Sequence, residues 1–374
     1  MNVLIDATNI RVGGGLQVAV SVISELLERD VDINFLFLVS PQVEKQLNDE
    51  VRCRVKVVDF SKRSILSLIK YRTLMKSIEN RFQINLVFSI FGPTYWNPKS
   101  AKHLIGFANA WLVSPKSKAY DNYSSFNKIK EKIKNKILSH LLFNKNAHYV
   151  TESSSIADRF SRYFSCPRSK ISVVPNALSQ KFISGTRDDI FNLNDINHFK
   201  FLTISHNYPH KNLKIIPNVA KKLEEKGLKC VFIVTFPCND YSLMSSDFKK
   251  YTINVGPVKS SECCSLYHNS DALFLPTLIE CFTVSYLEAM VTNKPICTSD
   301  LDFAHEICKD SAFYFDPYNI DSVVSSCRKV IQDSHNGRKL ININIARYNE
   351  FKDEFIDSKS RVDGYLEIIR NILR

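Results

Sequence analysis

Apolar residues fall in short unbroken runs separated by amphipathic stretches along most of the chain. Val3–Ala7 is the first run, and a loop follows to Gly15. A helix is predicted from about Leu16 to Arg29, because Val18, Val22, Leu26 and Leu27 keep helical spacing. Asn34–Val39 is a second run with no alternating polar positions. A strand buried on both faces has that pattern, so strand–helix–strand here predicts a parallel sheet. Further strands are predicted at Cys53–Val58, Leu86–Ile90, His103–Phe107 and His148–Thr151. Ile171–Val174 is a short strand stopped by Pro175-Asn176, and the polar stretch Ser179–His198 reads as a connection. The pattern then restarts, with strands at Phe199–Ser205, Cys230–Thr235, Tyr251–Val255, Ala272–Leu275, Pro295–Thr298 and Ala312–Phe315. A helix is predicted over Leu213–Lys226, and the chain ends in a helical pattern, Lys352–Leu373. This is an α/β chain of two Rossmann-like domains, over residues 1–180 and 199–351, joined by a linker over 181–198.

Composition adds little to that picture and charge adds more. The 374 residues are 44% hydrophobic and 24% charged, as a well-cored globular chain should be. No run of 18 apolar residues predicts a membrane span, and MNVLIDATNI reads as a core strand rather than a leader, so the protein is expected in the cytoplasm. The ten cysteines include no C-x-x-C, which makes them buried hydrophobes and leaves no metal site expected. The net charge of +12 is uneven: Arg52–Arg81 and Lys99–Lys145 together hold nineteen Lys/Arg against four acids. The first half should therefore meet something anionic, such as a membrane surface or a phosphate-bearing lipid.

In an open parallel sheet, ligands bind beyond the carboxyl ends of the strands, which selects three loops. The first is IRVGGGLQ, three glycines in a row between a strand and a helix, whose backbone lets a bulky ligand approach the free N–H groups of the helix N-terminus. It is neither G-x-G-x-x-G nor a P-loop. The second is SHNYPHKNLK, residues 205–214. Pro209 argues against a helical metal pair of His206 and His210. Lys211, just ahead of a helix, is a cation needing compensation, which an anionic ligand such as a diphosphate supplies. The third is PTLIECFTVSYLEAM, residues 276–290. Here Thr283 is the expected N-cap of a helix, Glu280 lies in the loop above the strand end, and Glu288 lies about a turn into the helix. Both carboxylates can face one cleft, Glu280 toward sugar hydroxyls and Glu288 toward a ribose diol. Asp300-Leu301-Asp302 reads as a helix cap rather than a metal site.

In this order the residues resemble the family 4 glycosyltransferases of the GT-B fold. The Glu-x7-Glu spacing of Glu280 and Glu288 is that family's signature. ISVVPNAL (171–178), PHKNL (209–213), VGPV (255–258), LYHNSDALFLPTLIE (266–280), LEAMVTNKPI (287–296) and AFYFDP (312–317) match it too. The resemblance implies two domains facing a cleft, with the last helix, 352–374, crossing back to the first. It implies a nucleotide-sugar donor held mainly by the second domain. Lys211 would neutralise the departing diphosphate, Glu280 contact the donor sugar, and Glu288 the ribose. The backbone of Phe282 and Thr283 would face the sugar and phosphates, with Gly14 and Gly15 closing over the diphosphate. Transfer would retain anomeric configuration, without metal or cofactor. The chain departs from the family's usual Glu-Gly-Phe-Gly: Cys281 and Thr283 stand where glycines are common. The arginine usual in the family a few residues before Lys211 is absent, and Ser205-His206-Asn207 stands there, so His206 or Asn207 takes its place. Asn109 and Trp111, after the strand His103–Phe107, fall where an acceptor binds.

The basic windows lie in the acceptor half. In KIKEKIKNKILSHLL, residues 128–142, Ile129, Ile133, Ile137, Leu138, Leu141 and Leu142 form a helical stripe flanked by lysines. Ser64–Ile78 repeats the idea with Leu68, Leu74 and Met75. Basic amphipathic helices suit an anionic inner leaflet. The expected function is a retaining hexosyltransferase acting on a lipid-linked saccharide in bacterial O-antigen or capsule assembly, peripheral on the inner face of the cytoplasmic membrane. The rivals are a GT-B protein that binds nucleotide-sugar or anionic polymer without catalysis, a nucleotide-sugar epimerase of the same shape, and a nucleic-acid binder. The last lacks basic–aromatic motifs, so no nucleic-acid partner is expected.

Overall fold

The computed structural model describes residues 1–60, 64–336, 347, 349–350 and 358–374. Lys62 and Arg63 of the first basic window, and residues 352–357 of the terminal helix, lie outside them. The first sheet holds β1 (Asn2–Ala7), β2 (Asn34–Val39), β3 (Lys56–Val57), β4 (Leu86–Ser89), β5 (Lys102–Phe107), β6 (His148–Thr151) and β7 (Ile171–Val173). The second holds β8 (Phe199–Thr203), β9 (Cys230–Val234), β10 (Thr252–Asn254), β11 (Ala272–Leu275), β12 (Ile296–Ser299) and β13 (Phe313–Phe315). Every pairing is parallel, in the orders β3-β2-β1-β4-β5-β6-β7 and β10-β9-β8-β11-β12-β13. The apolar runs are continuous because both faces of each sheet are covered. In β11, Leu273 and Leu275 enter one core while Ala272 and Phe274 enter the other. Both orders reverse direction once, between β1 and β4 and between β8 and β11. These switch points open the crevices in which α/β sheets bind ligands.

The chain divides into two compact units, and their bounds differ from the sequence reading. The first is Met1–Pro115, Ile129–Asn176 and Ser358–Arg374; the second is Lys116–Lys128 and Ala177–Asp357. The stretch read as a linker is folded into the second unit, because its scattered apolar residues Phe182 and Leu193 are fully buried in that unit's core. The segment 116–128, read as part of the first domain, also belongs to the second. The terminal helix Ser358–Leu373 lays Val362, Tyr365, Leu366 and Ile369 into the first core. Its buried Arg361 donates to Asn176 Oδ1 at 2.6 Å and Ser21 Oγ at 2.8 Å.

Gly106 in β5 fixes how closely the turn after β4 can approach. Its carbonyl accepts from Gly92 N at 2.8 Å, and a Cβ added there would stand 1.8 Å from the Ile90 carbonyl oxygen. Backbone rather than a side-chain tip is in the way, so nothing can yield cheaply. Gly106→Ala should destabilise the protein by about 3 kcal/mol. A denaturant midpoint unchanged from the parent would show that the turn is free to move.

Candidate active site

At the β1–β4 switch point, Thr8 donates to Asp6 Oδ1 from its backbone N at 3.0 Å and from its hydroxyl at 2.8 Å. The Thr8 hydroxyl also meets Tyr71 Oη at 2.8 Å, and Ser89 Oγ meets His103 Nε2 at 3.1 Å. Burial pushes the Asp6 carboxyl up and the His103 imidazole down to about 3, so this histidine is neutral. Above this network Gly13 has φ 73° and ψ −160°, a conformation open essentially to glycine alone. Gly13, the first of the three glycines, makes the turn, and Gly14 and Gly15, the two that the resemblance picks out, open the helix Gly14–Glu28. A side chain at Gly13 or Gly14 would meet nothing within 4 Å, whereas one at Gly15 would stand 3.3 Å from the Phe91 ring. Asn9 fastens the loop by donating to the carbonyls of Phe91 at 2.8 Å and Pro93 at 2.9 Å, around a cis Gly92–Pro93 bond. Asn109 and Trp111 lie half-buried in the loop after β5, with Asn109 Oδ1 accepting from Trp111 N at 3.2 Å. That side chain is engaged in shaping its own turn.

At the β8–β11 switch point, the loop after β8 ends in a tight turn, Pro209–Lys211. Asn212 then takes φ 56°, a left-handed conformation asparagine tolerates better than most residues. Its amide is buried, donating to Pro317 O at 3.1 Å and accepting from Asn122 Nδ2 at 3.2 Å. Asn122 also donates to Pro209 O at 2.8 Å, so the segment 116–128 clamps the turn that carries Lys211. Nothing in the spacing of Asn122 announced that contact. Across the switch point, Leu278 N donates to His210 O at 2.8 Å and ties the loop after β11 to the same turn. Lys211 Nζ and Glu280 Oε1 then meet at 2.5 Å, both side chains largely enclosed. Thr277 Oγ1, a partner not foreseen, adds a hydrogen bond to Glu280 Oε1 at 2.9 Å. The charge balancing Lys211 within the protein is therefore Glu280. His210 is held neutral beside them, burial pushing its imidazole down to about 4. His206 and Asn207 are exposed and form no hydrogen bond with Lys211 or Glu280.

Glu288 lies in the helix Val284–Val291, where Tyr267 Oη donates to its Oε2 at 2.9 Å. Burial pushes its carboxyl up to about 7 against the lowering effect of Tyr267 and Ser285. Phe282 packs partly against the core, and Thr283 is the N-cap residue as expected, but its hydroxyl makes no capping bond. The helix Asp302–Cys308 is likewise entered through Leu301, and Asp300 instead meets His305 Nε2 at 2.5 Å. Among the described residues no group of His, Cys, Asp and Glu could hold a metal ion. The ten cysteines are free, and seven of them are buried.

The two basic helices turn their apolar rows in different directions. In Ser125–Leu142 the buried positions are Asn135, Ser139 and Leu142, whereas Phe126, Ile129, Ile133 and Ile137 are each more than half exposed. The stripe read as continuous thus splits, with Leu138 half-buried and Leu142 facing the core. In Ile65–Arg81 the stripe of Leu68, Leu74 and Met75 packs inward, and Ile65, Leu66 and Ile69 are the exposed apolar residues. No helix among the described residues is long and apolar enough to cross a membrane.

Residues 187–347 match the family of glycosyl transferases group 1. The O-antigen chain mannosyltransferase RfbU of Salmonella typhimurium is 24% identical over 226 residues, 59% of this chain and 59% of that protein. The chain thus spans about three fifths of the length of the curated relative it matches. Sucrose-phosphate synthase from Thermosynechococcus elongatus superposes with a TM-score of 0.74 at 12% identity, over 99% of this chain and 98% of that one. Anabaena HepE, solved in complex with UDP-glucose, superposes with a TM-score of 0.70 at 13% identity, over 99% of each chain. The expected likeness to bacterial GT-B glycosyltransferases, and the expected α/β fold of two parallel sheets, are borne out.

Proposed function

We propose that this chain, whose residues 187–347 match the family of glycosyl transferases group 1, moves a hexose from a nucleotide-sugar to a lipid-linked saccharide, with retention and without metal, in bacterial O-antigen or capsule assembly. The observation that carries the reading is the meeting of Lys211 and Glu280 at the mouth of β8 and β11. A nucleoside diphosphate leaves with growing negative charge on its bridging oxygen. An ammonium and the unbonded N–H groups of a helix N-terminus, both fixed beforehand, stabilise that charge as it forms. Lys211 is the ammonium, and Val284–Val291 is the helix, with no acid in its first turn to compete. Glu280 accepts hydrogen bonds from the donor sugar, and Glu288 from the ribose. The UDP-glucose bound by HepE and the mannosyl transfer named for RfbU support this donor class.

The test is a thermal shift against UDP-, GDP-, ADP-, TDP- and CMP-sugars in the presence of a chelator. One nucleotide should raise the melting temperature, and the anomeric coupling of the product by NMR should match that of the donor. No shift with any of them at millimolar concentration would sink the proposal.

The lipid-linked acceptor rests on the helix Ser125–Leu142. Its exposed apolar row sits among Lys128, Lys130, Lys132, Lys134 and Lys136, so apolar insertion and attraction to anionic headgroups act on one surface. Replacing Ile133 and Ile137 by aspartate should weaken co-sedimentation with vesicles containing an anionic phospholipid on the order of tenfold or more. Both positions face solvent, so the fold should survive. Equal binding by parent and variant would remove the membrane from the reading.

A further inference from the structure

Thr283 stands at the start of the helix Val284–Val291 with a hydroxyl that does no structural work. The residue is 8% exposed, and its Oγ1 is enclosed without a hydrogen-bond partner. An N-cap hydroxyl ordinarily bonds a first-turn N–H. Ser40, Ser64, Ser153 and Ser245 do this here, through Val43, Ser67, Ile156 and Phe248. Thr283 does not: its backbone lies at φ −127° and ψ 106°, and no side chain caps this helix. The helix also has no acid in its first turn, so its positive end is uncompensated from within. A buried hydroxyl without a partner and a helix N-terminus without a side-chain cap thus lie in one short loop, three residues after the Glu280 that holds Lys211.

An enclosed hydroxyl left without a partner costs free energy, and the cost is recovered when a ligand supplies the missing acceptor. We infer that the Thr283 hydroxyl is a further donor-binding group, donating a hydrogen bond to a non-bridging oxygen of the nucleotide's diphosphate beside the first-turn N–H groups. This rests on the donor site proposed above. It adds a residue whose side chain, not only its backbone, takes part. Threonine is then a specific choice at a position where a glycine would offer its N–H alone.

An isosteric exchange separates this role from a structural one. Thr283→Val keeps the shape and removes only the hydroxyl. With no protein partner to lose, the empty variant should melt at the same temperature as the parent or higher. Its affinity for the nucleoside diphosphate, measured by calorimetry with UDP, GDP and ADP, should fall about tenfold, the order of one hydrogen bond to a charged oxygen. Thr283→Ser should bind within about twofold of the parent by the same reasoning. The loss should vanish when the corresponding nucleoside, which lacks the phosphates, is the probe. A parent that binds none of the three nucleotides overturns the donor site and this inference together. A parent that binds while the valine variant binds equally well overturns this inference alone. A valine variant that melts lower than the parent does so too, because the hydroxyl would then have had a structural partner.

Discussion

Exchange of Lys211 for alanine is expected to lower the turnover number about a thousandfold while leaving the protein folded. The size follows from what one fixed donor contributes to stabilising charge that develops in a transition state, about 3–4 kcal/mol in an enclosed site. Lys211 is held for that task. Its turn is clamped by Asn122 and by the left-handed Asn212, so the ammonium need not be ordered when the donor arrives. The same exchange should weaken binding of the nucleoside diphosphate product, since the diphosphate loses its cation. Glu280→Gln gives the complementary result. Turnover should fall about a hundredfold, because the donor sugar loses a charged acceptor. Affinity for the diphosphate alone should hold or improve, because Lys211 no longer shares its charge with the carboxylate 2.5 Å away. Lys211→Arg keeps the charge but presents a planar fork where a point charge is seated, and should recover only part of the activity. Steady-state rates and product calorimetry on the three variants check these outcomes together. If Lys211→Ala kept turnover within tenfold of the parent, the pair would be an ordinary ion pair and the site would have to be sought elsewhere.

The strands were legible because burial on both faces leaves a continuous apolar run, and no other constraint acts on β1, β6 or β11 strongly enough to blur it. The residues of the second site were legible one at a time, since each follows a strand end. Their pairing was not. Lys211 and Glu280 are 69 residues apart, and what joins them is the parallel pairing of β8 with β11. Asn122 left no trace in the sequence, because a single amide that bonds two loop groups has no period and no composition signature. Thr283 shows the opposite failure: the residue type of an N-cap was recognised, but capping depends on backbone angles that the residue type does not determine. The helix Ser125–Leu142 is the most instructive case. A row of isoleucines at helical spacing ordinarily marks the buried face, and the period is the same whichever way that row points. Here Asn135 and Ser139 face inward instead, which only the packed structure reveals.

Glu288 should make donor binding depend on pH near neutrality. Burial holds its carboxyl at about 7 in the unliganded protein, with Tyr267 donating to one oxygen. A carboxylate accepts from both hydroxyls of a ribose diol, whereas a carboxylic acid has given one oxygen to a proton. Binding therefore favours the ionised form, and the dissociation constant of the nucleotide should rise about tenfold for each unit the pH drops below about 7. Above that range it should be flat. The same linkage requires proton release on binding at pH 6.5, which calorimetry detects as a heat that changes with the ionisation enthalpy of the buffer. For stability the sign is opposite to that of an ion-paired acid. The folded carboxyl keeps its proton to about 7, while the unfolded one loses it near the ordinary glutamate value, so the folded state binds more protons between those two limits. Stability from this group accordingly falls as pH rises through that window, and Glu288→Gln should melt higher than the parent at pH 8. Donor affinity in that variant should be about a hundredfold weaker at pH 8, where a charged acceptor is lost, and nearly independent of pH between 6 and 8. A parent whose affinity is equally flat across that range, with no proton released, would show that the ribose is held by another group.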